Sequence, residues 1–457
     1  MSFQASLAQI CEAAHGQALQ LTDLTAIATG INTDSRTIQP GQVFLALRGD
    51  KFDGHNFVTT AIAAGAIAAI VDAQFVDTQF AAHQTEDHLP LIQVTHTLAA
   101  YQAIARWWRR QFEIPVIGIT GSVGKTTTKE LVAALLSHYG SVLKSQANFN
   151  NEIGVPKTLL ELNADHDFAV IEMGMRGRGQ IAELARTAEP TIAMITTVGT
   201  AHIELLGSRE AIAEAKCELF AELHSDGIAV FPAENELLVK TAAQVWQGQT
   251  ISYGFHQGAL QAHAIDPETL EIDGVRYPSP LPGEHNLINY LGGLAIAKAL
   301  NLSWEPFIQG VTVDLPGGRA KRYDLPQDIA LLDETYNAGL ESMLAALKLL
   351  AQTPGRRHIA VLGTMRELGD FSLPFHHQVG EKVQELHLDY LLILADPAEA
   401  EALAQGAGTV PTEQFATHAA VIARLQALMQ PGDRILFKAS RAVGLDQVVQ
   451  GLMRPGS

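Results

Sequence analysis

The stretch Val116-Ile117-Gly118-Ile119-Thr120-Gly121-Ser122-Val123-Gly124-Lys125-Thr126-Thr127-Thr128 limits most severely what this chain can fold into. The β-branched run from Val116 to Ile119 reads as a buried strand. A loop with two glycines, a lysine and hydroxyl residues follows, and Lys129 to His138 reads as a helix. Strand, glycine loop and helix form the setting in which backbone N–H groups and a helix N-terminus cradle phosphates. The loop residues are Gly121, Ser122, Val123, Gly124, Lys125, Thr126 and Thr127. Lys125 is placed to reach terminal phosphates and the Thr126 hydroxyl to ligate Mg²⁺. The residue five before Gly124 is Ile119, so the spacing is the shorter G-x-x-G-K-T. An ordinary glycine-rich βα turn is the alternative.

A chain of 457 residues has room for about three domains. The formal net charge of −18 argues against an extended nucleic-acid surface, which needs clustered Lys and Arg. A compact basic pocket for one nucleotide is still allowed. Two cysteines, Cys11 and Cys217, are too few for a disulfide framework and suit a reducing cytoplasm. Neither a signal peptide nor a membrane span is expected.

Around this loop the pattern alternates strand and helix, implying an α/β protein with a mostly parallel sheet covered on both faces. Strands are expected at Val116–Ile119, Phe168–Glu172, Ile192–Thr196 and Ile228–Phe231. Ligands of open α/β sheets bind at the strands' carboxyl ends, which collects Glu172, the 196–202 segment and the phosphate loop in one place. Glu172 there suits a metal ligand, and His202, in a glycine loop on the same edge, suits a metal or phosphate contact. Asn148, Asn150 and Asn151 can both donate and accept, as a sugar or amide ligand requires; an Asn-rich turn is the alternative. Ser208 caps a helix to about Leu223 whose apolar face holds Ile212, Ala215, Leu219, Phe220 and Leu223. Lys216 falls within that face and must snorkel, pair or lose its charge. A neutral amine can take up CO₂, and a carbamylated Lys216 would be an oxygen ligand for a second Mg²⁺. Asn286 and Asn289, a turn apart at a helix start, suit an adenine edge, or Asn286 caps the helix.

The flanks read as two further α/β units. The first carries Asp34-Ser35-Arg36, Pro40-Gly41, a strand at Val43–Leu47 and the turn-rich Gly49-Asp50-Lys51-Phe52-Asp53-Gly54-His55. Ser35 and Arg36 offer a hydroxyl and a fixed cationic fork for a diphosphate or uracil; a salt-bridged turn is the alternative. Residues 74–90 are polar and read as a linker, and Leu98 to Phe112 reads as a helix. The last unit contains Gly317-Gly318-Arg319, Asp333-Glu334-Thr335-Tyr336-Asn337-Ala338, Gly363 to Gly369, His376-His377 and Lys438-Ala439-Ser440-Arg441. It has no G-x-G-x-x-G fingerprint and reads as a unit lending residues to a shared site. The expected divisions are 1–90, 91–312 and 313–457.

Taken together, these residues resemble the Mur ligase family, ATP-dependent enzymes that add amino acids to the UDP-linked peptidoglycan precursor. The resemblance covers almost the whole chain. It includes the N-terminal Asp34-Ser35-Arg36 to His55 pattern, the short loop Gly121 to Thr126, Asn148 to Pro156, Glu172-Met173-Gly174, His202, Lys216, and His285, Asn286 and Asn289. The third unit is similar to the branch that adds D-alanyl-D-alanine to UDP-MurNAc-tripeptide, through Asp333, Tyr336, Asn337, Ala338, Ser342-Met343 and Gly363 to Gly369. No Asp-Asn-Pro-Arg segment, usual in the diaminopimelate-adding relative, is present. Gly339-Leu340, Ala439, Pro232 and Glu234 depart from the common Asn-Pro, Gly, Asn and Asp.

The resemblance implies three domains: a small UDP-binding unit, a central P-loop-type ATPase unit and a C-terminal Rossmann-like unit. It implies ATP and two Mg²⁺ ions, catalytic Lys125, Glu172, His202 and Lys216, and metal ligation by Thr126, Glu172, His202 and carbamylated Lys216. Asn286, Asn289, Arg319, Asp333 and Tyr336 are expected at the nucleotide. Ser35, Arg36, Asn148, Asn150, Asn151, Asn337, His376, Lys438, Ser440 and Arg441 are expected at the precursor or the dipeptide. A monomer in the cytoplasm is expected. The alternatives are a sister amino-acid ligase and, outside the ligases, a P-loop NTPase switch.

Overall fold

The computed structural model describes residues 3–49, 52–81 and 89–453. Among them, three principal sheets follow one another along the chain. The central sheet has seven strands, all parallel, in the spatial order Val142–Lys144, Phe168–Glu172, Val116–Thr120, Ile192–Ile195, Ile228–Pro232, Gln249–Gly254, Leu260–Gln261. Strand order reverses direction at Val116–Thr120, which puts a ligand crevice at its carboxyl end, beside those of Phe168–Glu172 and Ile192–Ile195. Val116, Ile117, Ile119, Val170, Ile171 and Ile195 are completely buried, as a parallel sheet with helices on both faces requires.

The helix after the phosphate loop runs Lys125–Leu136, one turn earlier than its hydrophobic pattern indicates. Gly124, at φ +85°, ends the loop in a left-handed conformation and starts the helix directly at Lys125. This helix packs on Glu284–Ala299, where Gly293 allows the approach: a Cβ there would lie 2.8 Å from Leu135 Cδ1. Ser208 caps Arg209–Ala221 by accepting from the Ala211 N–H, as its sequence indicates. Ile212, Leu219 and Phe220 are fully buried on that helix, worth roughly 1.5–3 kcal/mol each. Their burial carries Lys216 into the interior with them.

The N-terminal sheet has the order Gln17–Leu19, Leu91–Val94, Ala68–Asp72, Val43–Leu45, Ile31–Asn32, parallel except at its first pair. Leu91–Val94 is thus an interior strand of this sheet, so the first unit's sheet reaches past residue 90. The 74–90 segment is not simply a linker: Ala73–Ala81 is a helix, anchored by buried Val76. The rest of that expected linker, residues 82–88 with Glu86 and Asp87, and the turn residues Asp50 and Lys51 lie outside the described residues.

The C-terminal sheet has the order Lys321–Leu325, Ile329–Asp333, Asp433–Lys438, Arg357–Gly363, Tyr390–Leu394, Thr412–Gln414. Only its first pair is antiparallel. The carboxyl ends of adjacent strands therefore bring Asp333, Lys438 and Gly363 side by side. No helix is long and apolar enough to cross a membrane among the described residues.

Candidate active site

One cleft of about 1790 Å³ lies where the carboxyl ends of the central and C-terminal sheets face each other. Its lining includes the phosphate loop from Ser122 to Thr127, Asn148, Asn150, Asn151, Glu172, His202 and Lys216. From the far side come Arg319, Tyr336, Asn337, Lys438, Ser440 and Arg441, and Asn286 and Asn289 complete it.

The phosphate loop is held open by its neighbours. The Ser122 N–H donates to Thr197 O at 2.9 Å, the Gly199 N–H to Ser122 Oγ at 2.9 Å, and Thr196 Oγ1 to Val123 O at 2.6 Å. Two glycines are required by close approach. A Cβ on Gly121 would lie 1.9 Å from Thr196 Oγ1, and one on Gly124 would lie 2.8 Å from Asn289 Oδ1. Lys125 Nζ donates to Gly121 O at 2.7 Å, so its ammonium lies folded over the loop. Burial lowers its pKa, opposed by the nearby Glu172 charge and reinforced by Arg319.

Glu172 ends its strand with its backbone N–H on Ser145 Oγ at 3.0 Å and its Oε1 accepting from Asn150 Nδ2 at 2.8 Å. Its Oε2 is buried and accepts no hydrogen bond among the described residues, with Lys129 Nζ 3.9 Å away. Lys129 is itself fully buried, donating to Ser145 O at 2.7 Å and paired with Glu130 at 2.9 Å. An orphaned carboxylate oxygen in the same cleft as the Thr126 hydroxyl is a hard-oxygen donor set that fits Mg²⁺. Among the described residues no group of three or more His, Cys, Asp or Glu is arranged to hold a metal.

Lys216 is 1% exposed and makes no hydrogen bond or ion pair among the described residues. Desolvation first, and the Lys125 charge second, push its pKa well below the usual lysine range. The neutral form of an amine is the one that adds to CO₂, and burial shifts Lys216 in that direction. His202 adopts a left-handed conformation at φ +65°, and its Nδ1 meets Glu367 Oε2 of the C-terminal unit at 2.5 Å. That hydrogen bond is the main cause of the lowered Glu367 pKa. The pairing leaves Nε2 of His202 available.

On the opposite wall, Arg319 lies over the Tyr336 ring at 3.3 Å and Arg441 stands 5.0 Å from the same ring. Lys438 Nζ donates to Asn337 O at 3.0 Å and stands 3.8 Å from the Glu334 carboxylate, and burial lowers its pKa. Ser440 Oγ accepts from the Arg366 N–H at 2.9 Å. Asn286 donates to Pro282 O at 2.7 Å, so part of its amide is already used at the helix start.

Five of the expected residues lie outside the lining. Gly121 sits behind the loop, its carbonyl on Lys125. Asp333 is buried, with Oδ1 accepting from the N–H and hydroxyl of Thr335. His376 is fully buried: Nε2 accepts from the Met365 N–H at 2.9 Å and Nδ1 bonds Ser372 O at 2.7 Å. With both ring nitrogens on backbone, His376 shapes the 364–368 loop and does not face the cleft. Ser35 and Arg36 lie on the N-terminal unit, with the Arg36 side chain 85% exposed and paired to Asp34 at 2.6 Å. Glu341, which the sequence does not single out, and Glu367, which it marks only as part of Gly363 to Gly369, touch the central unit from the C-terminal one. Each partner is over 140 positions away, so no local pattern predicts the contact.

Three family models match the chain: the Mur ligase family catalytic domain at residues 28–109, the Mur ligase middle domain at 119–297, and the Mur ligase glutamate ligase domain at 318–441. The UDP-N-acetylmuramoyl-tripeptide--D-alanyl-D-alanine ligase of a Synechocystis strain is 54% identical over 93% of this chain and 91% of its own. The Escherichia coli protein of the same name is 34% identical over 99% of both. A crystal structure of MurF from Acinetobacter baumannii superposes with a TM-score of 0.88, 31% identity and 99% coverage of both chains. MurF from Thermotoga maritima in complex with ADP gives 0.81 at 28% identity, over 93% of this chain and 96% of that one.

Proposed function

Because the chain belongs to the Mur ligase family, we propose that it joins D-alanyl-D-alanine to UDP-MurNAc-tripeptide, converting ATP to ADP and phosphate. One observation carries this reading. The phosphate loop shares a single cleft with Glu172, His202 and Lys216 on one wall and with Arg319, Lys438 and Arg441 on the other. A nucleotide, an acidic acceptor and a second substrate's carboxylate can be gathered there.

The residues divide the work as follows. The entering triphosphate takes the Lys125 ammonium from Gly121 O, and its charge offsets the burial that lowers the lysine's pKa. The loop N–H groups and the N-terminus of Lys125–Leu136 bind the phosphate oxygens. Arg319 adds a second cation from the far wall. Thr126 and Glu172 would hold Mg²⁺, which supplies charge neutralisation at the phosphates, and His202 with carbamylated Lys216 would hold a second ion. The tripeptide's terminal carboxylate, oriented by Asn150 and Asn151, attacks the γ-phosphorus, and ADP leaves. The dipeptide amine then attacks the acyl carbon of the mixed anhydride, forming the amide and releasing phosphate. Lys438 and Arg441 bind the dipeptide's carboxylate in this reading. Lys125 and Arg319 stabilise charge without forming bonds, so catalysis rests on positioning and electrostatics.

In the same reading the unit 1–90, extended by Leu91–Val94, holds the UDP end with Ser35 and Arg36. The unit 91–312 holds ATP, and 313–457 brings the dipeptide. A cytoplasmic location follows from the need for ATP. The test is ADP formation from ATP with UDP-MurNAc-tripeptide, with and without D-Ala-D-Ala. Turnover that needs both acceptors is expected; ADP formation indifferent to either overturns the proposal.

A further inference from the structure

Two carboxylates cross from the C-terminal unit to the central one, and they differ in what they hold. Glu367 meets the side chain of His202. Glu341 meets the loop that supports the phosphate loop. Its Oε1 accepts from the Thr200 N–H at 2.7 Å and its Oε2 from Thr200 Oγ1 at 3.0 Å, so both oxygens act on one residue. Thr200 is buried, and a Cβ on the preceding Gly199 would lie 2.5 Å from the Glu341 carboxyl carbon. The adjacent glycine is what lets the carboxylate in.

The same short loop is tied to the phosphate loop through Ser122, Val123 and Gly199 by the three hydrogen bonds described above. Asn235 fixes its far side, donating to Thr197 Oγ1 at 3.2 Å and Val198 O at 3.0 Å. At the other end, Glu341 lies in the first turn of Leu340–Gln352, the helix that follows Tyr336 and Asn337. The Tyr336 wall is thus joined to the phosphate loop by the short chain from Tyr336 to Glu341, the Glu341–Thr200 hydrogen bonds, and the bonds from the loop that holds Thr200 to Ser122 and Val123.

We infer that Glu341 is a positioning residue: its two-oxygen grip on Thr200 locks the C-terminal unit against the phosphate-loop support and so sets the closed geometry in which phosphoryl transfer occurs. This rests on the function proposed above for the rate measurements, and it has a conformational readout that does not. Because the grip acts on closure and not on the UDP end, its loss lowers kcat and raises KM for ATP while KM for UDP-MurNAc-tripeptide stays the same.

The experiment compares full-length Glu341→Ala, Glu341→Gln, Thr200→Val and the double variant Glu341→Ala/Thr200→Val. Radius of gyration from X-ray scattering is read without ligand, together with Tm, kcat and each KM. Two charge-assisted hydrogen bonds correspond to a fall of about tenfold to a hundredfold in kcat for Glu341→Ala. That variant also has an expanded radius of gyration, and Glu341→Gln, which keeps an oxygen for the Thr200 N–H, stays within about fivefold of the parent. The double variant is no worse than Glu341→Ala alone, since the two residues act as one contact. An unchanged radius of gyration with an unchanged kcat overturns the inference, and so does additivity in the double variant. If Glu341→Ala fails to fold, Thr200→Val against Glu341→Gln decides the same question. If the parent makes no ADP with the two acceptors, the proposed function fails, and the scattering comparison still judges the lock.

Discussion

Replacing Gly124 with alanine perturbs the phosphate loop where it turns into its helix, and the structure sets the size of the effect. Gly124 sits at φ +85°, where a residue with a Cβ is disfavoured by roughly 1–2 kcal/mol. The added methyl would also lie 2.8 Å from Asn289 Oδ1. Because the obstacle is the end of a side chain, Asn289 can swing off its preferred rotamer, at about 0.5–1.5 kcal/mol. The sum is about 1.5–3.5 kcal/mol, which has two places to go. If the loop keeps its shape, the melting temperature falls by about 3–14 °C, at ~2–4 °C per kcal/mol for a unit of this size. If the loop relaxes, the native cradle must be rebuilt on binding, and ATP-analogue affinity falls about 10- to 400-fold. Thermal unfolding and titration with a non-hydrolysable analogue read the two. Adding Asn289→Ala relieves only the side-chain part, so Tm recovers partially. Parental Tm and parental affinity together in Gly124→Ala would show that neither the positive φ nor the Asn289 contact constrains the loop.

Lys216→Ala should be inactive in ADP formation with an unchanged far-UV circular dichroism spectrum, because Ile212, Leu219 and Phe220 still dock its helix. A short carboxylic acid should restore part of the rate by standing in for the carbamate; full activity without additive removes the carbamate from the account. His285 is held neutral by burial, with its pKa pushed down to about 4. The unfolded chain protonates it nearer 6.5, so its contribution to stability is present above that pH and is lost as pH falls toward 4. His285→Leu should therefore flatten the decline of Tm between those limits, and an equally steep decline in the variant sinks the assignment. Lys129→Met leaves Glu130 buried beside a smaller set of cations and should cost about 3 kcal/mol in chemical denaturation, a loss that a surface ion pair would not produce.

What the sequence made legible is what short-range physics controls. The run Val116–Ile119 reads as an interior strand, which it is, and Gly-Lys-Thr after it reads as a phosphate loop at a strand-to-helix junction, where the chain does turn from strand into helix. Ser208 and the apolar spacing after it placed Lys216 inside a buried face before any coordinates did so. Other features depend on partners far along the chain. The helix starts at Lys125 because Gly124 can take a positive φ, a property that the threonine run after it conceals. The 74–90 segment looks polar on average, yet Val76 is enough to dock Ala73–Ala81. Leu91–Val94 belongs to the first sheet because Ala68–Asp72 and Gln17–Leu19 need a neighbour between them. His376 matched a site pattern, but two backbone groups claim its ring. Glu341 carries no local signature, and Glu367 shows only as part of Gly363 to Gly369, since the contacts of both exist only once two units face each other.

The central claim is that the acceptor's carboxylate is itself phosphorylated before the new amide forms. UDP-MurNAc-tripeptide labelled with oxygen-18 in its terminal carboxylate tests it directly. During turnover with ATP and D-Ala-D-Ala, mass spectrometry of the released phosphate should show one labelled oxygen per molecule formed. Unlabelled phosphate, with the amide nevertheless made, would contradict the account.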